Sequence, residues 1–247
     1  MPSIVTLTTD FGRSDHFAGV MKGVILGICP GAPIVDITHE CGAYDIDEAA
    51  YTIAQTYRYF PPKTVHVVVV DPGVGTARRP IVVEAAGQFF VGPDNGVFSL
   101  VLSSEKHKVR VITNQNHFLH PVSQTFHGRD IFAPVAAHLA NGISPARIGK
   151  AIDDYEQKKP AAGAVLKIDH FGNIVINFRS SDFPRGRFAL RIGRRKVTRL
   201  AANYAQFGPG QLFAIAGSSG YIEISAGQAS AAKLLGVSPG FVVKLER

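Results

Sequence analysis

The stretch Val67-Val68-Val69-Val70-Asp71-Pro72-Gly73-Val74-Gly75-Thr76-Ala77-Arg78 decides the fold. Its run of β-branched residues predicts a strand that is buried on both faces, as in a parallel sheet. The strand ends at Asp71, and a proline and two glycines then let the backbone turn back on itself. Because the returning loop can bring Arg78 within ion-pair distance, the stretch indicates a rigid carboxylate site. Asp-Pro-Gly is also ordinary turn chemistry, so a surface turn with an unpaired Arg78 is the alternative.

The first half of the chain alternates short apolar runs with segments of helical pattern. The predicted strands cover residues 4–8, 34–37 and 65–70, and the predicted helices cover 17–28, 46–59 and 129–140. This alternation is typical of βαβ units, so we expect an α/β domain with a parallel sheet. Asp45 with Glu48 predicts a capped start for the second helix, and Asp15 is a candidate cap for the first. Pro134 indicates either a first helical turn or a kink.

The pattern changes after the polar stretch 153–160, which is the best linker candidate. Six strand-like runs follow, at residues 165–168, 174–177, 188–192, 212–215, 221–224 and 241–245, with one possible helix near 228–235. This spacing is typical of a compact antiparallel barrel or sandwich. We therefore expect an N-terminal α/β domain over residues 1–152, a linker over 153–162 and a C-terminal β domain over 163–247.

Length and composition favour a globular protein. With 247 residues, 46% of them hydrophobic, the chain can form one large domain or two modest ones. It begins without a basic leader and has no run of eighteen apolar residues, so we expect neither secretion nor a membrane span. Cys29 and Cys41 have no metal-ligand spacing and are too few for a disulfide framework. A reducing cytoplasm is the expected location.

The formal net charge of +7 raises the possibility of a nucleic-acid partner. The basic residues cluster late, around a predicted hairpin at 192–194. The cluster comprises Arg185, Arg187, Arg191, Arg194, Arg195, Lys196 and Arg199. Few aromatic residues lie among them to stack on bases, so a solvated hairpin is favoured over a nucleic-acid groove.

The spacing of the residues excludes three common functional motifs. Gly73 and Gly75 suggest a dinucleotide-binding turn, but Arg78 occupies the third-glycine position, and a strand follows where a helix is needed. Ser218 lacks the spacing of a nucleophile elbow. No two of the nine histidines stand at helical ligand spacing, so we predict no metal site.

Polar residues follow every predicted strand of the parallel sheet. They are Asp10 after the first strand, His39 and Tyr44 after the second, Asp71 after the third, and Asp94 and Asn95 after the run 89–91. Ligands of open parallel sheets bind beyond these carboxyl ends. Asp10 and Asp15 could hold a ribose diol or cap a helix, and capping is the favoured reading. Asp94 is interpreted as a turn and cap residue.

Six motifs occur in order along nearly the whole chain. They are TTDFG at 8–12, DPGVGT at 71–76, GPDNG at 92–96, FHGRD at 126–130, FGN at 171–173 and GYIEI at 220–224. Together they resemble the S-adenosylmethionine hydroxide adenosyltransferase family, whose framework is shared with fluorinases and chlorinases. The resemblance implies a Rossmann-like N-terminal α/β domain with helices on both faces of a mainly parallel sheet, and a smaller C-terminal antiparallel β-barrel. It also implies a homotrimer whose active sites lie between one subunit's N-terminal domain and a neighbour's C-terminal domain.

The implied reaction is attack of water or hydroxide on the 5′ carbon of S-adenosyl-L-methionine, which releases adenosine and L-methionine. S-adenosyl-L-methionine is then the substrate, and no cofactor is implied. Asp71 and His127 match the residues that accept or relay the proton of water. Arg78 matches the residue that holds Asp71 and stabilises the incoming oxygen.

The resemblance also implies substrate contacts. Asp10 matches a residue that binds the ribose hydroxyls, and Tyr44 matches an aromatic residue near the sulfonium. Asn173 matches a residue that binds the adenine edge, and Tyr204 could stack on the adenine. Ser218 and Glu223 occupy further binding positions, and Asp15 and Asp94 are weaker candidates. Glu223 either attracts the methionine ammonium or faces outward from its strand.

Two rival functions remain. A halogenase of the same superfamily is disfavoured, because Asp71, Val74 and Gly128 replace the fluorinase tyrosine, threonine and serine, and a fixed carboxylate repels a halide. Gly217 stands where an asparagine is usual, and His170 where an arginine is commoner. The second rival is a basic nucleotide- or RNA-binding module without catalysis, which the charge cluster motivates.

Overall fold

A seven-stranded mixed sheet forms the centre of the N-terminal part of the chain. The computed structural model describes residues 2–184 and 186–246, and it divides into two units, residues 1–158 and 159–247. The division falls within the stretch that the sequence marks as polar, and the finer domain limits stay a prediction.

The described strands of the first unit are β1 (Val5–Thr9), β2 (Ile34–Thr38), β3 (Val65–Val69), β4 (Pro80–Ala85), β5 (Gln88–Pro93), β6 (His107–Val111) and β7 (Ala151–Ile152). Their order across the sheet is β2-β1-β3-β5-β4-β6-β7. The neighbours β2, β1, β3 and β5 run parallel, whereas β4, β6 and β7 pair antiparallel. The predicted parallel sheet is therefore correct for one half, and the other half is antiparallel.

The helices are α1 (Phe17–Ile28), α2 (Ile46–Thr56), α3 (Ser99–Leu102), α4 (Ala133–Ala140) and α5 (Pro145–Ile148), and a π-helical turn, Gly128–Phe132, precedes α4. Alternate residues of β3, and Val70 directly after it, enter two different cores. Val67 and Val69 pack in the core that contains residues of α1 and α4, and Val68 and Val70 pack in the core that contains residues of α2 and α3. Helices thus cover both faces of the sheet, as expected.

Two of three predictions about helix termini are correct. The Asp45 side chain accepts a hydrogen bond from Glu48 N at 2.9 Å, which caps α2. Pro134 lies in the first turn of α4, which is one of the two roles predicted for it. The prediction for Asp15 is wrong, because the cap of α1 is His16, which makes no capping hydrogen bond with its side chain.

The second unit contains β8 (Val165–Ile168), β9 (Ile174–Arg179), β10 (Ala189–Ile192), β11 (Arg195–Val197), β12 (Leu200–Ala201), β13 (Leu212–Ala216), β14 (Tyr221–Ala226), α6 (Ala231–Leu235) and β15 (Lys244–Glu246). They form a three-stranded sheet, β11-β10-β15, and a five-stranded sheet, β12-β13-β14-β9-β8. All the pairings are antiparallel except that of β12 with β13. Closure of the strands into a barrel stays a prediction.

The basic hairpin is formed by β10 and β11, as predicted. Arg191 and Lys196 both contact the Glu246 carboxylate, at 2.5 and 2.8 Å. This pairing offsets part of the positive charge that motivated a nucleic-acid partner. Arg185 of the same cluster lies outside the described residues. Across the part of the chain that the structure describes, no helix combines the length and the apolar character needed to cross a bilayer.

Candidate active site

The carboxyl ends of β2, β1 and β3 bring three predicted site residues to one edge of the sheet. These strands are neighbours and run parallel, so the residues that follow them emerge on the same side. Asp10 follows β1, Tyr44 lies in the loop after β2, and Asp71 follows β3. All three line one cavity of about 260 Å³.

The turn after Asp71 is held by its own backbone. Val74 N donates to Asp71 O and Thr76 N to Gly73 O, both at 3.2 Å. Gly75 has a φ of +76°, and a Cβ there would lie 2.2 Å from the carbonyl oxygen of Gln124. Glycine is therefore required for the turn to approach the segment that leads to His127.

Arg78 joins Asp71 to His127. Its Nε donates to Asp71 Oδ1 at 3.1 Å, and its Nη2 donates to Asp71 Oδ2. The same Nη2 lies 2.9 Å from His127 Nδ1. The side chains of Arg78 and Asp71 are only 7% and 4% exposed, and the guanidinium lies over the Phe132 ring at 5.4 Å. The alternative of a surface turn with an unpaired arginine is wrong.

The charges of this cluster fix its protonation pattern. Burial raises the pKa of the Asp71 carboxyl, and the Arg78 guanidinium opposes this shift without cancelling it. Burial, and then the positive charge of Arg78, lower the pKa of His127. A guanidinium can only donate hydrogen bonds, so Nδ1 of the neutral His127 ring accepts, and the ring proton resides on Nε2.

Asp10 and Tyr44 contact each other at the mouth of the cavity. The Asp10 Oδ2 accepts a hydrogen bond from the backbone N of Tyr44 at 2.9 Å. Tyr44 has a φ of +65°, which is uncommon for a residue with a side chain, and its side chain is largely exposed. An exposed tyrosine in a strained backbone conformation beside a carboxylate suits a ligand contact.

Three phenylalanines form an apolar wall of the cavity, and sequence reasoning did not assign them to the site. The rings of Phe11, Phe17 and Phe126 are 5.2 to 5.9 Å apart. Phe11 and Phe126 lie directly beside the predicted site residues Asp10 and His127, and this adjacency was the available signal.

Asn173 and Tyr204 line a separate cavity of about 610 Å³ in the second unit, together with Asp169 and the exposed Phe171. Asp169 accepts from both the backbone N and the Nδ2 of Asn173 at 2.8 Å, which fixes the orientation of the amide. The predicted adenine contacts therefore share one cavity.

The remaining predicted residues lie elsewhere. The Glu223 carboxylate accepts from the Tyr204 hydroxyl at 2.6 Å, and neither Glu223 nor the exposed Ser218 lines the cavity of Tyr204. Asp15 lines a different cavity, of about 330 Å³. Asp94 is buried and accepts from Arg79 at 2.7 and 3.0 Å.

The hydrogen bonds of Asp94 indicate a structural role for this residue. Asp94 Oδ1 also accepts from the backbone N of Glu156 at 2.8 Å, and Arg79 binds the Asp154 carboxylate. These contacts hold part of the predicted linker against the first unit. Within the described ranges, no group of three His, Cys, Asp or Glu side chains could hold a metal ion.

Comparison with known proteins assigns the family. A family model described as the SAM hydroxide adenosyltransferase N-terminal domain matches residues 5–149, and the model of the C-terminal domain matches residues 163–244. The chain belongs to the SAM hydroxide adenosyltransferase family. Similar members are two proteins named (R)-S-adenosyl-L-methionine hydrolase. The protein from Salinispora tropica is 36% identical over 96% of this chain and 95% of its own length, and that from Methanocaldococcus jannaschii is 36% identical over 95% and 92%.

A fluorinase from Actinoplanes sp. is 28% identical to this family member and covers 74% of each chain. The crystal structure of an uncharacterized conserved protein from Thermotoga maritima superposes with a TM-score of 0.91. It is 36% identical, and the match covers 99% of this chain and 100% of that one. This chain thus shares its fold with that protein over 99% of its length.

Proposed function

We propose that this chain hydrolyses S-adenosyl-L-methionine to adenosine and L-methionine. The observation that carries the proposal is the buried Asp71 carboxylate, held at both oxygens by Arg78, on the wall of a cavity in a hydroxide adenosyltransferase fold. Attack by water needs a proton acceptor beside the reacting carbon. Methionine, in contrast, is a good leaving group when the carbon–sulfur bond of the sulfonium breaks, and it needs no general acid.

Asp71 is the proton acceptor in this proposal. The water oxygen forms a bond to C5′, the C5′–S bond breaks with its electron pair going to sulfur, and one water proton passes to the Asp71 carboxylate. The raised pKa of Asp71 favours this transfer, because a base works best when its pKa approaches the working pH. Arg78 fixes the carboxylate in one orientation and so reduces the reorganisation that the reaction requires.

His127 acts as a hydrogen-bond donor rather than as the base. Its Nδ1 is occupied by Arg78 Nη2, so the ring cannot take a proton at that atom while the contact persists. The proton on Nε2 is available to the oxygen of the incoming water or of the 5′-hydroxyl product. This assignment is more specific than the sequence-based expectation, in which Asp71 and His127 accept or relay the proton of water.

Substrate placement follows the two cavities. Asp10 is proposed to bind the ribose hydroxyls, and Tyr44 to face the sulfonium, where an aromatic ring favours a cation. Asn173 is proposed to read the adenine edge and Tyr204 to stack on its ring. A homotrimer with active sites at the subunit interfaces is part of the proposal, as is a cytoplasmic location.

Ser218 and Glu223 keep a weaker place in the proposal. Because Glu223 binds the Tyr204 hydroxyl, we assign it to holding Tyr204 rather than to the methionine ammonium. Asp15 and Asp94 have no part in the proposed reaction, since neither lines the cavity of Asp71 or that of Asn173 and Tyr204.

The test is to incubate the purified chain with S-adenosyl-L-methionine in water labelled with oxygen-18 and to identify the products by mass. We expect methionine and adenosine with the label in its 5′-hydroxyl. The matched control is Asp71→Asn, which keeps the size of the side chain and removes the base. No adenosine, or adenosine without label, would contradict the proposal.

Two further arms address the rivals. With chloride in excess, faster formation of 5′-chloro-5′-deoxyadenosine than of adenosine would make the chain a halogenase. A binding module would be favoured if the chain released no methionine but bound RNA in a salt-sensitive way. This RNA binding should be lost when Arg194, Arg195 and Lys196 are neutralised.

A further inference from the structure

A series of polar contacts runs from the protein surface to the loop that carries Asp10. Lys22 Nζ donates to Asp36 Oδ2 at 2.5 Å, and Asp36 Oδ1 lies 3.1 Å from His39 Nε2. The other ring nitrogen of His39, Nδ1, lies 2.9 Å from Thr9 Oγ1. Thr9 Oγ1 also accepts from the backbone N of Phe11 at 3.3 Å. The series thus ends at the peptide that follows Asp10.

The network assigns the protons within this series. Thr9 Oγ1 accepts from a backbone N–H, so its own hydrogen is free to be donated to His39 Nδ1. In this arrangement Nε2 carries the ring proton on the side of Asp36 Oδ1, which lies 3.1 Å away without hydrogen-bond geometry. Although burial opposes it, the side-chain contacts with Lys22 and His39 lower the pKa of Asp36, so this acceptor is ionised near pH 7.

His39 holds the Asp10 loop on both sides of the carboxylate. Its ring binds Thr9, and its carbonyl oxygen accepts from Gly12 N at 2.7 Å. Thr9 O accepts in turn from Cys41 N at 3.3 Å. Residues 10–16 form neither helix nor strand, so such contacts must hold the loop in place of regular hydrogen bonding. The His39 ring, whose side chain is 8% exposed, is packed firmly enough for this role.

We propose that His39 is a positioning residue, which orients the Asp10 carboxylate toward the ribose through its bond to Thr9. The inference rests on the proposed function, because Asp10 is taken as the ribose ligand. His39 itself does not line the cavity of Asp71, so we expect no direct contact between its ring and the substrate. Its loss should weaken ground-state binding and leave the chemical step unchanged, because Asp71, Arg78 and His127 are held by other contacts.

Two substitutions at His39 separate its two contacts. In His39→Asn the short amide can accept from Thr9 but cannot reach Asp36. In His39→Gln the longer amide can reach Asp36 but abandons Thr9. We expect His39→Gln to raise KM for S-adenosyl-L-methionine about tenfold, with kcat changed less than about twofold. His39→Asn should restore most of the lost affinity.

Thr9→Val removes the same bond from its other end, together with the bond from Phe11 N, and covers the case in which a His39 variant fails to fold. His107→Asn is the matched control. His107 is a half-buried histidine with two hydrogen-bond partners, Glu105 O and Tyr155 Oη, on the distant strand β6. It should leave both kinetic constants unchanged.

A double-variant cycle tests the route through Asp10. If His39 acts through that carboxylate, His39→Gln added to Asp10→Asn raises KM by less than about twofold beyond Asp10→Asn alone. Additive effects would overturn the inference.

Hydrogen exchange of the peptide that contains Phe11 and Gly12 provides a readout independent of turnover. Exchange should accelerate in His39→Gln and Thr9→Val but not in His107→Asn. Unchanged exchange would overturn the inference even if the chain proved inactive. Absence of adenosine formation by the unsubstituted chain, with exchange altered as expected, would instead count against the proposed function.

Discussion

His66 should make the stability of the N-terminal sheet fall in mild acid. This residue lies on β3, the strand that ends at Asp71, and it is fully buried. Its Nδ1 lies 2.7 Å from Thr6 Oγ1 and its Nε2 lies 3.2 Å from Gln88 Oε1. The ring also stacks on Phe90. Burial lowers the pKa of His66 to about 4.

The sign and size of the effect follow from this shift. The unfolded chain binds a proton at His66 below about pH 6.5, whereas the folded chain does not bind it until about pH 4. The stabilising contribution is therefore complete above pH 6.5 and is lost as the pH falls toward 4. Between pH 7.5 and pH 5 the loss from this one group amounts to about 2 kcal/mol.

The assay is native-state hydrogen exchange of the β3 amides, converted to an opening free energy at each pH after correction for the intrinsic exchange rate. It reports on this sheet without requiring the two units to unfold together. His66→Gln cannot be protonated, so its opening free energy should depend less on pH than that of the unsubstituted chain, by about 2 kcal/mol over this interval. Equal pH dependence in both proteins would refute the reasoning.

Three other predictions concern the site. Asp71→Asn should lower kcat about a hundredfold or more while calorimetric binding of adenosine changes less than about threefold, because only the proton acceptor is lost; near-normal turnover would remove Asp71 from the mechanism. Arg78→Met leaves the Asp71 carboxylate buried without its partner, so the free energy of unfolding measured in urea should fall by about 3 kcal/mol or more. An unchanged unfolding midpoint would contradict the strength assigned to this ion pair. Gly217→Ala places a Cβ 2.0 Å from Glu223 Oε1, so the Glu223 carboxylate must move away from the Tyr204 hydroxyl. Adenosine should then bind about fivefold more weakly, with kcat preserved. An unaltered affinity for adenosine would show that Tyr204 does not need the bond to Glu223.

The sequence predicts the helices of the first unit better than the direction of its strands. The helix over 17–28 is correct at both ends, because its apolar spacing is regular. The strand predicted directly after Arg78 is present as β4, yet its antiparallel pairing with β5 and β6 has no local signal. Strands buried on both faces are continuously apolar in either direction, so composition cannot distinguish parallel from antiparallel neighbours.

In the candidate site, too, contacts between residues close together in the sequence were predictable, whereas contacts between distant residues were not. Asp71 and Arg78 are predictable as a pair, since a strand end and a tight turn bring together residues seven positions apart. His127 comes from 49 residues beyond Arg78, and only the family resemblance pointed to it. The contacts of His39 were missed because they join residues of β1, α1 and β2, whose proximity exists only after the sheet has formed.

Charge bookkeeping across the reaction explains why a buried carboxylate suits water and disfavours a halide. S-adenosyl-L-methionine enters with a sulfonium cation, and methionine leaves with a neutral thioether. If Asp71 takes the water proton, the Asp71–Arg78 pair changes from neutral to positive as the sulfonium charge disappears. The total charge of the site is then constant through the step, which a poorly solvated cavity favours. A halide would instead neutralise the sulfonium directly and require no base, so Asp71 would contribute only repulsion. The same carboxylate therefore promotes one nucleophile and rejects the other, which is why Asp71→Asn should reduce hydrolysis while any residual reaction with chloride stays unchanged or becomes faster.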